Sequence, residues 1–214
     1  MESKLPASAK IYLAVMATVG WFALVAQFYI NATLKVTPVP EMIIRFFSYF
    51  TIQTNCMVAV SCTILLLAPS SKLGKFFSKQ QTMAAITVYI VIVGLIYNTI
   101  LRFLWNPQGL QELVDELLHS VIPVLAVIYW LLFAGKDQLR WTNIFYWLIF
   151  PFAYIIYVLI RGSISGFYPY PFINTTLLGL NKVLVNAVGI AVIFTIISLL
   201  FVAAGRSLSK NQQK

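Results

Sequence analysis

The chain has 214 residues, 60% of them hydrophobic and only 10% charged, with a formal net charge of +9. Soluble domains run at roughly half apolar and a quarter charged, so this composition excludes a soluble globular fold: there is too little polar side chain to cover so much apolar surface. The positive charge does not indicate nucleic acid, because no soluble reader module is present and inner-face loops of membrane proteins collect Lys and Arg.

The apolar residues fall in runs of about twenty, the length at which a helix crosses roughly 30 Å of hydrocarbon. Spans are predicted over roughly 10–31, 43–68, 83–104, 113–134, 141–161 and 182–205, each bounded by charge, Pro or Gly. The first run is longer than the core of a secretory signal and has no clear small-x-small cleavage site, so it is read as a retained span. Pro38 and Pro40 break the first connection, Pro69 and Gly74 the second, and Pro107 and Gly109 the third. Cys56 and Cys62 lie six residues apart on one predicted helix. That separates them by about 9 Å along the axis, so they do not bridge each other.

Orientation follows from the basic residues. With the N-terminus inside, one face collects Lys4, Lys10, Lys72, Lys75, Lys79, Lys136, Arg140, Arg206, Lys210 and Lys214, and the other keeps Lys35, Arg45, Arg102, Arg161 and Lys182. This bias predicts an all-α integral membrane protein, a single domain of six transmembrane helices with both termini cytoplasmic, in the cell membrane. No inverted repeat of the kind that marks many transporters is visible.

Polar groups inside hydrocarbon are costly, which makes their depth informative. Counted from the inner end of its span, Thr51 stands roughly 24 Å up at 1.5 Å per residue, with Thr54 and Asn55 about one turn deeper. His119 and Asn98, on two further spans, stand roughly 22 Å up. Arg102, Asp115, Glu116 and Arg161 come just above this level, and the aromatic run Tyr168-Pro169-Tyr170-Pro171-Phe172 follows the fifth span. One reading is a polar pocket toward the non-cytoplasmic face, rimmed by Tyr168, Tyr170 and Arg161. The other is that Arg and Tyr are simply interfacial anchors.

His119 is the only histidine, so neither a bis-histidine haem nor a His-rich metal site is available, and no metal or cofactor is expected. Glu112, Asp115, Glu116, His119 and Pro123 recur at helical spacing, which puts acids and imidazole on one face. Asp115 or Glu116 is the candidate to orient the ring. A neutral imidazole near a hydroxyl takes its proton and makes the oxygen a nucleophile, which casts Thr51 as nucleophile and His119 as base, with Thr54 as the alternative nucleophile. Asn55, Asn98 and Arg102 are candidate oxyanion donors. The competing reading of the threonines is packing, each bonded to its own i−4 carbonyl.

Three segments carry a resemblance: Phe47-Ser48-Tyr49-Phe50-Thr51-Ile52-Gln53-Thr54-Asn55, Asp115-Glu116-Leu117-Leu118-His119 followed by Pro123, and Tyr168-Pro169-Tyr170-Pro171-Phe172. In their order and spacing the chain resembles the androgen-induced-protein family of multi-spanning membrane proteins, and is most similar to its bacterial members. The resemblance implies a membrane-embedded hydrolase of fatty acid esters of hydroxy fatty acids, with Thr51 matching the nucleophile and His119 the base. Animal members carry Asp or Asn three residues after the threonine, where this chain has Thr54 and then Asn55. The expected partners are a lipid substrate and the bilayer. A non-enzymatic lipid-binding or transport protein, and a scaffold without a pocket, are the alternatives.

Overall fold

The computed structural model of the chain describes residues 5–211; Lys4 and Lys214, counted above on the inner face, lie outside them. Among the described residues all regular structure is helical, and six helices are long and apolar enough to cross a membrane. Helix α1 (Ala7–Leu34) starts at Pro6 and ends where Lys35 turns to a left-handed φ of 48°. It packs along the third helix of the chain, with Leu13, Met16, Ala17 and Leu24 buried at helical spacing.

The helix expected over 43–68 is divided. Helix α2 (Val39–Ser48) stops at Tyr49, whose backbone is extended at φ −78° and ψ 128°, and α3 (Phe50–Leu67) begins at the next residue. A break at this depth leaves main-chain groups that hydrocarbon cannot satisfy. Tyrosines from elsewhere serve them. The Tyr154 hydroxyl donates to Ser48 O at 3.0 Å and accepts from Phe50 N–H at 3.2 Å, and the Tyr170 hydroxyl accepts from Thr51 N–H at 3.2 Å.

A short α4 (Lys72–Phe77), capped by the Ser71 hydroxyl, leads into α5 (Gln80–Thr99). Here too the expected span is shortened: after Thr99 the chain tightens to a 3-10 turn at Leu101–Leu104, which lays Arg102 back on Asn98. Next come α6 (Leu110–Glu116), a π turn at Leu117–Val121 and α7 (Ile122–Leu132), one continuous span. Pro123 explains the π turn. It has no N–H to offer the His119 carbonyl, and the Ile122 N–H closes the wider ring to Leu117 O.

Helix α8 (Asn143–Ser165) runs past the 161 expected from sequence to a left-handed Gly166. A 3-10 turn at Pro171–Ile173 and the single-turn α9 (Thr175–Leu178) then lead to α10 (Leu180–Asn211). The most apolar windows of α3 and α5 are 56% and 61% buried, those of α8 and α10 only 17% each. So α3 and α5 form the centre, and α8 and α10 form an outer wall whose Phe145, Ile149, Phe152 and Val188 are exposed. Lys136, expected as an inner-face charge, is 8% exposed and caps α7 by donating to Leu131 O and Ala134 O at 3.1 and 2.7 Å. Its burial lowers its pKa.

Candidate functional site

The break at Tyr49 makes Thr51 the second residue of α3, in the turn where a helix has free N–H groups. The π turn of the facing span rotates His119 toward it. The two meet: Thr51 Oγ1 lies 3.3 Å from His119 Nε2, across 68 residues of sequence.

The other face of the imidazole defines its tautomer. Nδ1 lies 2.9 Å from the Asp115 carbonyl oxygen and 3.2 Å from Asp115 Oδ1. A carbonyl only accepts, so Nδ1 is the donor and Nε2 the acceptor of the neutral ring. Asp115 is 3% exposed, and its other oxygen accepts from the Tyr97 hydroxyl. The Tyr97 ring stacks on the imidazole with centroids 4.0 Å apart and 16° between planes. A carboxylate, a carbonyl and an aromatic plate thus hold the ring in one orientation.

Tyr170 is the residue whose part the sequence reading missed. Expected at the rim, it reaches further in: its hydroxyl sits 3.2 Å from Thr51 Oγ1 and accepts from the Thr51 N–H. Burial pushes this phenol up to about 12, with the bonds to Thr51 pulling the other way. The signal available in the sequence was the Tyr-Pro-Tyr-Pro-Phe run itself: two prolines stiffen the loop that delivers the side chain.

The expected oxyanion donors do not reach the Thr51 hydroxyl, because main-chain carbonyls and a carboxylate occupy them. Asn55 Nδ2 donates to Thr51 O at 2.8 Å and Leu118 O at 3.2 Å, tying the two helices together. Asn98 Nδ2 donates to Gly94 O at 2.8 Å and to the His119 carbonyl, freed by Pro123, at 3.2 Å. Gly94 permits this approach, since a Cβ there would sit 2.9 Å from His119 O. Arg102 pairs with Glu116 at 2.5 Å and donates to Asn98 Oδ1 and Ser120 Oγ. Glu116 therefore faces Arg102, and of the two candidate acids Asp115 is the one on His119.

Thr54 is fully buried and donates to Phe50 O and Thr51 O at 2.9 and 3.1 Å, the packing role and not that of a second nucleophile. Tyr168 turns away from the site. Its hydroxyl bonds Thr175, and its ring lies on Gly162, where no Cβ fits. Arg161 shares Glu41 with Arg45, each at 2.8 Å, and both guanidiniums face the Phe167 ring. Those two bonds hold the Glu41 carboxyl below its ordinary pKa. Tyr168 and Arg161 thus staple outer segments together.

Two cavities open on the Thr51–His119 pair. One, of about 820 Å³, is walled almost wholly by hydrocarbon from α3, α5, α8 and α10. The other, of about 450 Å³, lies among α1, α6 and the Tyr170 loop and is lined by Gln27, Asn31, Gln111 and Tyr97 among others. Both volumes fall in the range of small-ligand sites. Among the described residues no cluster of His, Cys, Asp and Glu is arranged to hold a metal. Compared with protein-family models, curated proteins and solved structures, the chain matches none.

Proposed function

We propose that this protein is a membrane-embedded lipid ester hydrolase with Thr51 as nucleophile and His119 as base. The observation that carries the reading is the Thr51 Oγ1 to His119 Nε2 approach of 3.3 Å, with Nδ1 anchored on Asp115 and an apolar cavity at the hydroxyl. Thr51 Oγ attacks the ester carbonyl carbon as Nε2 takes its proton. The developing oxyanion accepts from the Tyr170 hydroxyl. Collapse breaks the bond to the alcohol oxygen, which leaves with the proton held by His119. Water then attacks the acyl-threonine with His119 again as base, releasing the acid and restoring Thr51.

The segments that resemble the androgen-induced-protein family support fatty acid esters of hydroxy fatty acids, or related acyl esters, as substrates. The excess of Lys and Arg in the chain ends and the connections on their side supports an orientation with the termini cytoplasmic and the pocket toward the other face, and we place the protein in the cell membrane.

The test is hydrolysis of a branched fatty acid ester and a simple acyl ester by purified protein in detergent. Turnover by wild type and Thr54→Ala but not by Thr51→Ala or His119→Ala is the expected pattern. Turnover unchanged in Thr51→Ala and His119→Ala ends the mechanism. A second reading, lipid binding or transport without chemistry, draws on the size and apolarity of the larger cavity alone. It gains if folded wild type binds such esters and hydrolyses none.

A further inference from the structure

The Thr51–His119 pair does not lie at the bottom of one pocket. Thr51, His119 and Tyr170 line both cavities, so the reacting atoms stand in the wall between two chambers of different chemistry. The larger chamber meets hydrocarbon everywhere except close to that wall. The smaller carries an amide cluster. Gln27 and Gln111 bond each other, with Gln111 Nε2 donating to Gln27 Oε1 at 2.9 Å, and Gln27 Nε2 donates to Asn31 Oδ1 at 2.9 Å. No Lys or Arg lines it among the described residues.

The chemistry assigns the chambers. Through both half-reactions the acyl group stays on or beside Thr51 Oγ, so its chamber has only to hold a chain. The alcohol leaves from the opposite side of the carbonyl, and water must then attack from the place the alcohol vacated, because the same Nε2 handles the proton each time. That second chamber must therefore accept water, which needs two or more polar partners. Only the amide-lined chamber offers them away from the wall.

Resting on the hydrolase reading, we infer that the large α8–α10 chamber is the acyl site and the amide-lined chamber is the alcohol and water site. Gln27 and Gln111 then select alcohols that carry a second hydrogen-bonding group. The acyl part is an unsubstituted hydrocarbon chain that the outer wall admits from the bilayer.

Labelling tests this without turnover. Two amide analogues of a fatty acyl ester of a hydroxy acid, with the ester oxygen replaced by NH, carry a photoreactive diazirine at the acyl terminus or at the far end of the alcohol half. Each is irradiated with the wild-type protein in nanodiscs and the adducts are mapped by mass spectrometry. The acyl-end probe is expected on α8 or α10, near Ile149 and Leu184, and the alcohol-end probe on α1 or α6, near Asn31 and Gln111. The reverse pattern, one pattern for both probes, or no adduct in either chamber overturns the assignment. The expected pattern in a protein that hydrolyses no ester sinks the hydrolase reading alone and leaves the two-chamber binding mode standing.

Where esters are turned over, Gln111→Leu should raise KM about tenfold more for a hydroxylated alcohol ester than for a methyl ester, the loss of about one hydrogen bond. Ala191→Phe, projecting into the large chamber, should lower kcat/KM for long acyl chains and spare acetyl esters. Equal effects on both members of either pair count against the assignment.

Discussion

The two halves of this bundle obey different rules. In the half built from α1, α3, α5 and the α6–α7 span, the polar side chains around the site have partners, the buried Asn55 Oδ1 excepted, and the irregular backbone at Tyr49 and at the π turn is served by tyrosine hydroxyls and the Asn98 amide. In the half built from α8 and α10, the most apolar windows are only 17% buried, and apart from inward side chains such as Tyr154 and Phe194 most residues are exposed. Precise geometry is held where the protein is densely packed, and chain-holding volume is left where packing is sparse and lipid can complete the surface. A reaction that needs a fixed hydroxyl and a variable hydrocarbon chain suits that division.

Breaking the packed half should have the largest effects. Thr51→Ala removes the proposed nucleophile and should reduce ester turnover to background, and His119→Ala should cost at least about a hundredfold in kcat; both are read by product release from folded protein. Asp115→Asn comes next. Its amide replaces one of two acceptor oxygens, so either the Tyr97 hydroxyl loses its acceptor or the Nδ1 proton keeps only the residue-115 main-chain carbonyl, and the tautomer with Nε2 facing Thr51 is held less firmly. A fall in kcat of about a hundredfold with KM little changed is expected; an unchanged kcat would remove Asp115 from the orienting role.

Tyr170→Phe should cost about 10²–10³ in kcat if its hydroxyl meets the oxyanion, and much less if it only packs. Tyr154→Phe touches no reacting atom but strips the Ser48 carbonyl and Phe50 N–H of their partner. It should lower stability by about 1–3 kcal/mol, read as a drop in thermal unfolding temperature in detergent. At the bottom of the scale, Ile160→Ala on α8, where Ile160 is 57% exposed, should change stability by no more than about 0.5 kcal/mol. An effect as large as that of Tyr154→Phe would erase the contrast between the halves.

Alkaline pH sharpens the same comparison. The Tyr170 phenol is raised from 10.0 to about 12 by burial, so between those values the unfolded chain loses this proton while the folded one keeps it. Its contribution to stability is therefore full below pH 10 and is lost as pH rises through its folded value. Tyr170→Phe should flatten that part of the stability profile.

Much of this was legible in the residues. Run lengths of about twenty apolar side chains identify spanning helices because hydrocarbon thickness sets one length for all of them, and six such helices are present among the described residues. Counting along helices also put Thr51 and His119 at one depth, since rise per residue is constant. Rotation about the helix axis was not legible in the same way. It depends on the extended Tyr49 and on the π turn before Pro123, and a one-residue change in either turns a side chain by about 100°. Asn55, Asn98 and Arg102, expected as oxyanion donors, turn instead to main-chain carbonyls and to Glu116.

What the sequence determines by itself is thus the medium, the number and length of the helices, and the depth of each polar residue, because these follow from hydrophobicity and a fixed helical rise. Which hydroxyl meets the imidazole, which acid holds it, and that Tyr170 rather than an asparagine reaches the Thr51 hydroxyl were decided only by tertiary structure. Those contacts join segments 68 and 119 residues apart, and no local regularity of the chain encodes the packing that brings them together.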